Sequence, residues 1–221
     1  MAITLNGTTG ITTPDLTSAA PMDVGGSAVL TAASSLAAAN LTGTVASGRM
    51  PAGSVLQAKQ NIYDASNSFA STLVNVTGYS MGGWIDTGVS LSFTPISSSS
   101  RIILNSSINF ATTNFSERIS FKIVRDTGTI NPVTGMGAID SLRRMCHAST
   151  LYLNVGSNEN LSEVSMNTYD EPNTLSAVTY KVYVNQNTGS ATIYINRPTT
   201  FPNAYYIPKA ISTLTGFEVK Q

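Results

Sequence analysis

The chain has 221 residues, with 12 Lys and Arg balanced by 12 Asp and Glu, so its formal net charge is zero. Charged residues make up 11% of it, against about 25% in ordinary soluble domains, while Ser, Thr and Asn (28, 28 and 18) fill a third. This excludes the basic footprint that holds duplex nucleic acid or an anionic membrane, and a single Cys (Cys146) and a single His (His147) leave no disulfide framework and little for zinc or imidazole chemistry.

All 17 Phe, Tyr and Trp lie at or after Tyr63. Aromatic side chains carry the largest burial per residue, and Ala, Ser, Thr and Gly carry little. A leading segment without them cannot outweigh backbone ordering, which costs about 1–2 kcal/mol per residue. Residues 1–53 are therefore expected to order only against a partner. Within them, Ile3-Thr4-Leu5-Asn6-Gly7-Thr8-Thr9-Gly10-Ile11 alternates β-formers with turn residues, and Pro14 and Pro21 keep the chain from coiling into a helix. From Val29 to Leu41, Leu30, Ala33, Ala37 and Leu41 fall at helical spacing, so a short helix and an extended strand of small residues are both open. The apolar positions that would anchor and trimerise this arm are Ile3, Leu5, Ile11, Leu16, Val29, Leu30, Leu36 and Leu41. Gly43, Gly48, Pro51 and Gly53 punctuate its end, which places a domain boundary at 53.

From 54 to 221 the pattern is β. Strands are expected over 54–63, 72–80, 84–94, 101–111, 118–126, 141–154, 161–169, 176–186, 190–196 and 211–220. Period-two alternation is plain in Ser120-Phe121-Lys122-Ile123-Val124-Arg125 and in Thr179-Tyr180-Lys181-Val182-Tyr183-Val184. Gly82-Gly83, Asp126-Thr127-Gly128, Asn131-Pro132, Gly156-Ser157-Asn158 and Asn187-Thr188-Gly189 read as turns. So many short strands predict an all-β fold, an antiparallel β-sandwich or jelly roll carrying an extended N-terminal arm.

Chemical candidates are few. Cys146 and His147, adjacent in a strand, would point to opposite faces and cannot act as nucleophile and base together; a buried Cys beside an ordinary His is the expectation. Glu159, Glu163, Asp170 and Glu171 form the sole acidic cluster and read as solvated loop charges, with a weak Ca²⁺ site as the minor alternative. Arg143 and Arg144 could pair with them between subunits. Trp84, after a Gly-Gly turn, and Tyr205-Tyr206, between Pro202 and Pro208, are the candidates for stacking on a host glycan, with packing or trimer contact the competing role for the two tyrosines. No enzyme activity, cofactor, metal, nucleic-acid partner or membrane insertion is expected: no apolar run approaches the roughly 18 residues of a spanning helix, and the N-terminus lacks the basic-then-apolar plan of a signal peptide.

Four segments carry a resemblance. Ile3-Thr4-Leu5-Asn6-Gly7-Thr8-Thr9-Gly10-Ile11-Thr12-Thr13-Pro14 and Leu41-Thr42-Gly43-Thr44, continuing to Arg49-Met50-Pro51-Ala52-Gly53-Ser54-Val55-Leu56-Gln57, resemble the N-terminal arms of tail-fibre-like virion proteins of tailed bacteriophages, of the type found in phages of marine bacteria and cyanobacteria. The run from Trp84 through Phe93-Thr94-Pro95-Ile96-Ser97-Ser98-Ser99-Ser100-Arg101 to Leu104 is similar to the β-domain that follows such arms, and Ile211 to Val219 looks like its last strand, which closes on an acidic residue flanked by aliphatics. Phe93 and Arg101 stand where Ile and Lys are commoner, and 131–173 matches nothing in that family. The resemblance implies a homotrimeric virion component, assembled in the bacterial cytoplasm, anchored to another virion protein through residues 1–53, with the domain 54–221 outward. It leaves a tail fibre, a head-decoration protein and a carbohydrate-binding receptor module as the three readings.

Overall fold

The computed structural model describes residues 46–71, 81–113, 118–126, 130–136, 145–151, 160–186, 191–200, 202–205 and 207–221. Contacts divide the chain into two units, Met1–Thr44 and Val45–Gln221, and the description that follows is of the second. The eight arm positions from Ile3 to Leu41, the helix-or-strand alternative over 29–41, and the strand expected over 72–80 lie outside the described residues.

Among the described residues, eleven strands form: β1 (Val55–Tyr63), β2 (Asn67–Ser71), β3 (Ile85–Phe93), β4 (Arg101–Thr112), β5 (Arg118–Asp126), β6 (Ile130–Pro132), β7 (Ala148–Leu151), β8 (Ser162–Asp170), β9 (Val178–Gln186), β10 (Ala191–Ile195) and β11 (Ser212–Val219). The only helical element described is a 3-10 turn, Ser47–Arg49. All ladders are antiparallel. One sheet runs β1-β11-β4-β10-β2, with β8 on the far edge of β4; the other runs β3-β9-β5-β6, with β7 also on β5.

Three of the paths across these sheets are each made of two strands. β10 and β11 lie end to end along one edge of β4, β1 and β2 lie end to end outside them, and β6 and β7 share the outer edge of β5. Counted as continuous paths in chain order, the sheets read 1-8-3-6 and 2-7-4-5. First sits beside last, second beside seventh, third beside sixth, and fourth beside fifth. That nesting is the eight-path jelly roll, a double Greek key.

Side-chain alternation fills the space between the sheets. Val89, Leu91 and Phe93 of β3, Leu104, Ile108 and Phe110 of β4, Phe121 and Ile123 of β5, Val182 and Val184 of β9, and Leu214 of β11 all belong to one buried cluster. Phe110 meets Phe121 across the gap with ring centroids 5.0 Å apart. Each such side chain contributes about 1.5–3 kcal/mol on burial. Gly216 of β11 leaves no room for a side chain between the sheets, since a Cβ there would stand 2.4 Å from the Phe93 ring.

Several expectations are corrected. The period-two alternation expected in β5 comes with burial on both faces: Ser120, Lys122 and Val124 are buried, as are Phe121 and Ile123. Asn131-Pro132 is not a turn but part of β6, where Pro132 stands opposite Val124; an edge strand tolerates a residue without an N–H. The strand expected over 141–154 is confined, among the described residues, to Ala148–Leu151. β2 was not expected, because Asn67-Ser68-Phe69-Ala70-Ser71 is short and its order comes from pairing with β10. Within the segment expected over 84–94, Asp86-Thr87-Gly88 is a bulge: Gly88 takes φ +86°, its N–H donates to Asp86 Oδ1 at 2.8 Å, and the register with β9 shifts between Asp86 and Ser90.

Candidate functional site

The described polar residues are used first to lock the domain. Glu218 of β11 points into the sandwich and is fully buried. Its Oε1 accepts hydrogen bonds from the Ile96 N–H (2.8 Å), the Ser97 N–H (3.1 Å) and Ser100 Oγ (2.6 Å), and its Oε2 accepts from Gln57 Nε2 at 2.6 Å. Burial raises the carboxyl pKa, but the donors, led by Ser100 and Gln57, outweigh it and hold the group below its ordinary value. The serine-rich loop between β3 and β4 thus winds around one carboxylate.

On the β1 side of that knot, polar side chains close the gap between the sheets. Gln57 Nε2 also donates to the Thr94 carbonyl (2.8 Å), Asn61 Nδ2 to the Ser90 carbonyl (2.7 Å), and Lys59 Nζ reaches the Ser92 carbonyl (3.4 Å). The Ser90 and Ser92 carbonyls lie on the edge of β3 and Thr94 follows it directly, so this edge is covered rather than left as a template for pairing. A third lock is Asn196, buried at φ +62°. Its Nδ2 donates to the Tyr63 and Ala65 carbonyls and its Oδ1 accepts from Ser212 Oγ at 2.6 Å, fixing the bend between β1 and β2.

The expected acidic cluster does not assemble. Glu163 and Asp170 sit at opposite ends of β8, about 23 Å apart at strand rise. Glu163 accepts from Ser107 Oγ at 2.7 Å, Glu171 pairs with Arg101 at 2.7 Å, and Glu159 lies outside the described residues. Asp170 is not a solvated loop charge. It is buried, with Oδ2 accepting from Arg125 Nη1 (2.8 Å) and the Tyr180 hydroxyl (3.0 Å), which ties β8 of one sheet to β5 and β9 of the other. Burial pushes its pKa up, and the Arg125 charge opposes that. Among the described residues, no group of three or more His, Cys, Asp or Glu is placed to hold a metal ion. Arg143 and Arg144 lie outside the described residues.

His147 departs from the ordinary residue expected. The Ile123 N–H donates to its Nδ1 at 3.0 Å, so Nδ1 is bare and the hydrogen sits on Nε2, 3.2 Å from the Thr134 carbonyl. Thr134 in turn donates its N–H to the Tyr169 carbonyl at 3.0 Å and its carbonyl accepts from Thr168 Oγ1. The imidazole is a neutral strut between β5 and the segment bonded to β8. Burial lowers its pKa to about 4. Cys146 is half-buried and packs instead against the cluster of Trp84, Val124 and Tyr183, so nucleophile and base do not meet.

Trp84 is a correction as well. The residue is 7% exposed and its ring lies under the Lys122 ammonium, 4.1 Å from the centroid, so it offers no open face to a sugar. Tyr205 is fully exposed, and Tyr206 lies outside the described residues. The outer faces of the two sheets differ in charge. On the second, Lys181 bridges Asp126 (2.9 Å) and Asp86 (3.3 Å) at the surface. On the first, the outward positions of β1, β11, β4 and β8 are mostly Ser, Thr, Asn and apolar residues; Arg101 is engaged by Glu171, and Glu163 by Ser107.

No protein-family model matches the chain, and no curated protein matches it in sequence. Among solved structures it is similar to a chain in the structure of infectious bursal disease virus Gx strain, with a TM-score of 0.35 and 12% identity over 76% of this chain. The match spans 37% of that chain's length.

Proposed function

We propose that this protein is a non-enzymatic structural component of a bacteriophage virion: a homotrimeric tail fibre whose residues 1–53 dock on another virion protein and whose β-domain faces the host. The observation that carries this reading is the nested strand order 1-8-3-6 and 2-7-4-5. It builds a jelly roll, an architecture used in virion and lectin domains. The chemistry of the domain agrees. Glu218, Asp170 and His147 are each held in bonds that join loops or sheets. The arm-domain division and the resemblance of the Thr94–Arg101 and Ile211–Val219 segments to tail-fibre-like proteins add to it.

The test is labelling of purified particles with an antibody raised to the β-domain. Label at the tail in low copy number is expected. Label spread over the whole head would favour the decoration reading, and unlabelled particles would remove the virion role. A chain lacking residues 1–50 should fold and be absent from particles. Tyr205, fully exposed, is the described residue best placed to stack on a sugar, and a glycan array without binding would remove the receptor-module reading.

A further inference from the structure

We propose that the outer face of the β1-β11-β4-β8 sheet, at its Val55–Val219 end, is the surface through which the β-domains of neighbouring copies of this chain pack together. The inference rests on the homotrimer reading above and names the contact. Cross-strand pairing places Val55 beside Val219, Ala58 beside Phe217, Phe217 beside Ile103, and Ile103 beside Tyr169, all on the outward side. Val55 and Ile103 remain 51% and 37% exposed. The charges at the margin are already spent: the Arg101 guanidinium lies over the Tyr169 ring and pairs with Glu171. An apolar centre depleted of free charge is the composition of an interface core, whereas the Lys181-Asp86-Asp126 face of the other sheet is that of a solvated surface.

The occupant follows from where the chain leaves the domain. Lys220 Nζ donates to the carbonyls of Ser47 and Gly48 at 3.0 Å and also to Met50, while the Gly53 N–H donates to the Lys220 carbonyl and the Lys220 N–H to the Ser54 carbonyl. Residues 46–54 are thereby fixed beside Val219, at the end of the apolar strip. The 45 aromatic-free residues upstream join the domain at that point, and on the homotrimer reading they order against sister chains. Joining those arms about one axis brings the departure points together, and with them the strips that start there.

The test uses the full chain. A photo-crosslinking residue at position 103 should yield covalent oligomers, while one at Thr179, on the opposite sheet, should not. Ile103→Asp and Val55→Glu, both at exposed positions, should weaken association by about tenfold or more in sedimentation equilibrium, with melting curves confirming the fold. An oligomer that survives both substitutions unchanged and gives no crosslink from position 103 overturns this contact and leaves the homotrimer reading standing. A wild-type chain that sediments as a monomer sinks the homotrimer reading, and the contact falls with it.

Discussion

Ser100 Oγ donates to Glu218 Oε1 at 2.6 Å, joining residues 118 positions apart. The Ser-rich loop and the acidic residue of the last strand, far apart in sequence, are the two halves of one buried knot. Each bond to a buried carboxylate is worth about 1.5–3 kcal/mol, and removing the carboxylate also strands the Ile96 and Ser97 N–H groups. Glu218→Ala should therefore cost about 3–5 kcal/mol, and Ser100→Ala about 1–2 kcal/mol, in urea unfolding. Glu218→Gln, which keeps the acceptor oxygen, should fall between. Equal costs for Ala and Gln would mean that the charge carries the whole contribution, and a Gln variant as stable as the parent would mean that it carries none. Because the folded pKa of Glu218 lies below its ordinary 4.5, its contribution is complete above that pH and is lost as pH falls through the folded value.

His147 predicts a second acid-sensitive step. Its folded pKa of about 4 lies under the ordinary 6.5, so the unfolded chain binds a proton first as the medium acidifies. Stability from this strut is full above pH 6.5, declines from there to about 4, and is flat below. His147→Gln should remove that decline when urea midpoints are compared across the window, leaving the carboxylate effects at lower pH. An unchanged slope would show that the imidazole is not the titrating group.

Two glycines test the packing. Gly216→Ala puts a methyl against Phe93 and Gly88→Ala puts one 2.6 Å from the Tyr63 hydroxyl at φ +86°. Overpacking costs about 1–3 kcal/mol, and the left-handed backbone adds roughly 1–2 kcal/mol at position 88. Gly88→Ala should be the more damaging in thermal melts.

Ser106 offers a gain. It faces the core between Leu104 and Ile108, and its Oγ is buried without a hydrogen-bond partner. A buried unsatisfied hydroxyl costs about 1–3 kcal/mol, so Ser106→Ala should stabilise the domain by about 1 kcal/mol. A loss of stability would reveal a bond to this oxygen.

The sandwich was legible because strands such as β3 and β9 alternate faces residue by residue, and that pattern survives in the primary sequence. What was missed lacks such a signature. β2 and β6 owe their order to neighbours, β10 and β5, rather than to their own composition. Trp84 reads as a ligand-facing residue, and its stacking under Lys122, from a strand 38 positions on, has no counterpart in the local sequence. Asp170 likewise looks like a loop charge until Arg125 and Tyr180, from two other strands, arrive beside it. Long-range polar partners leave no local spacing to read.

Sedimentation velocity of the intact polypeptide, set beside a version beginning at Ala46, addresses the central claim most directly. A trimer for the former and a folded monomer or a much weaker oligomer for the latter is the predicted pair of results. A single copy in both cases, with the leading 45 residues protected from protease, would contradict it.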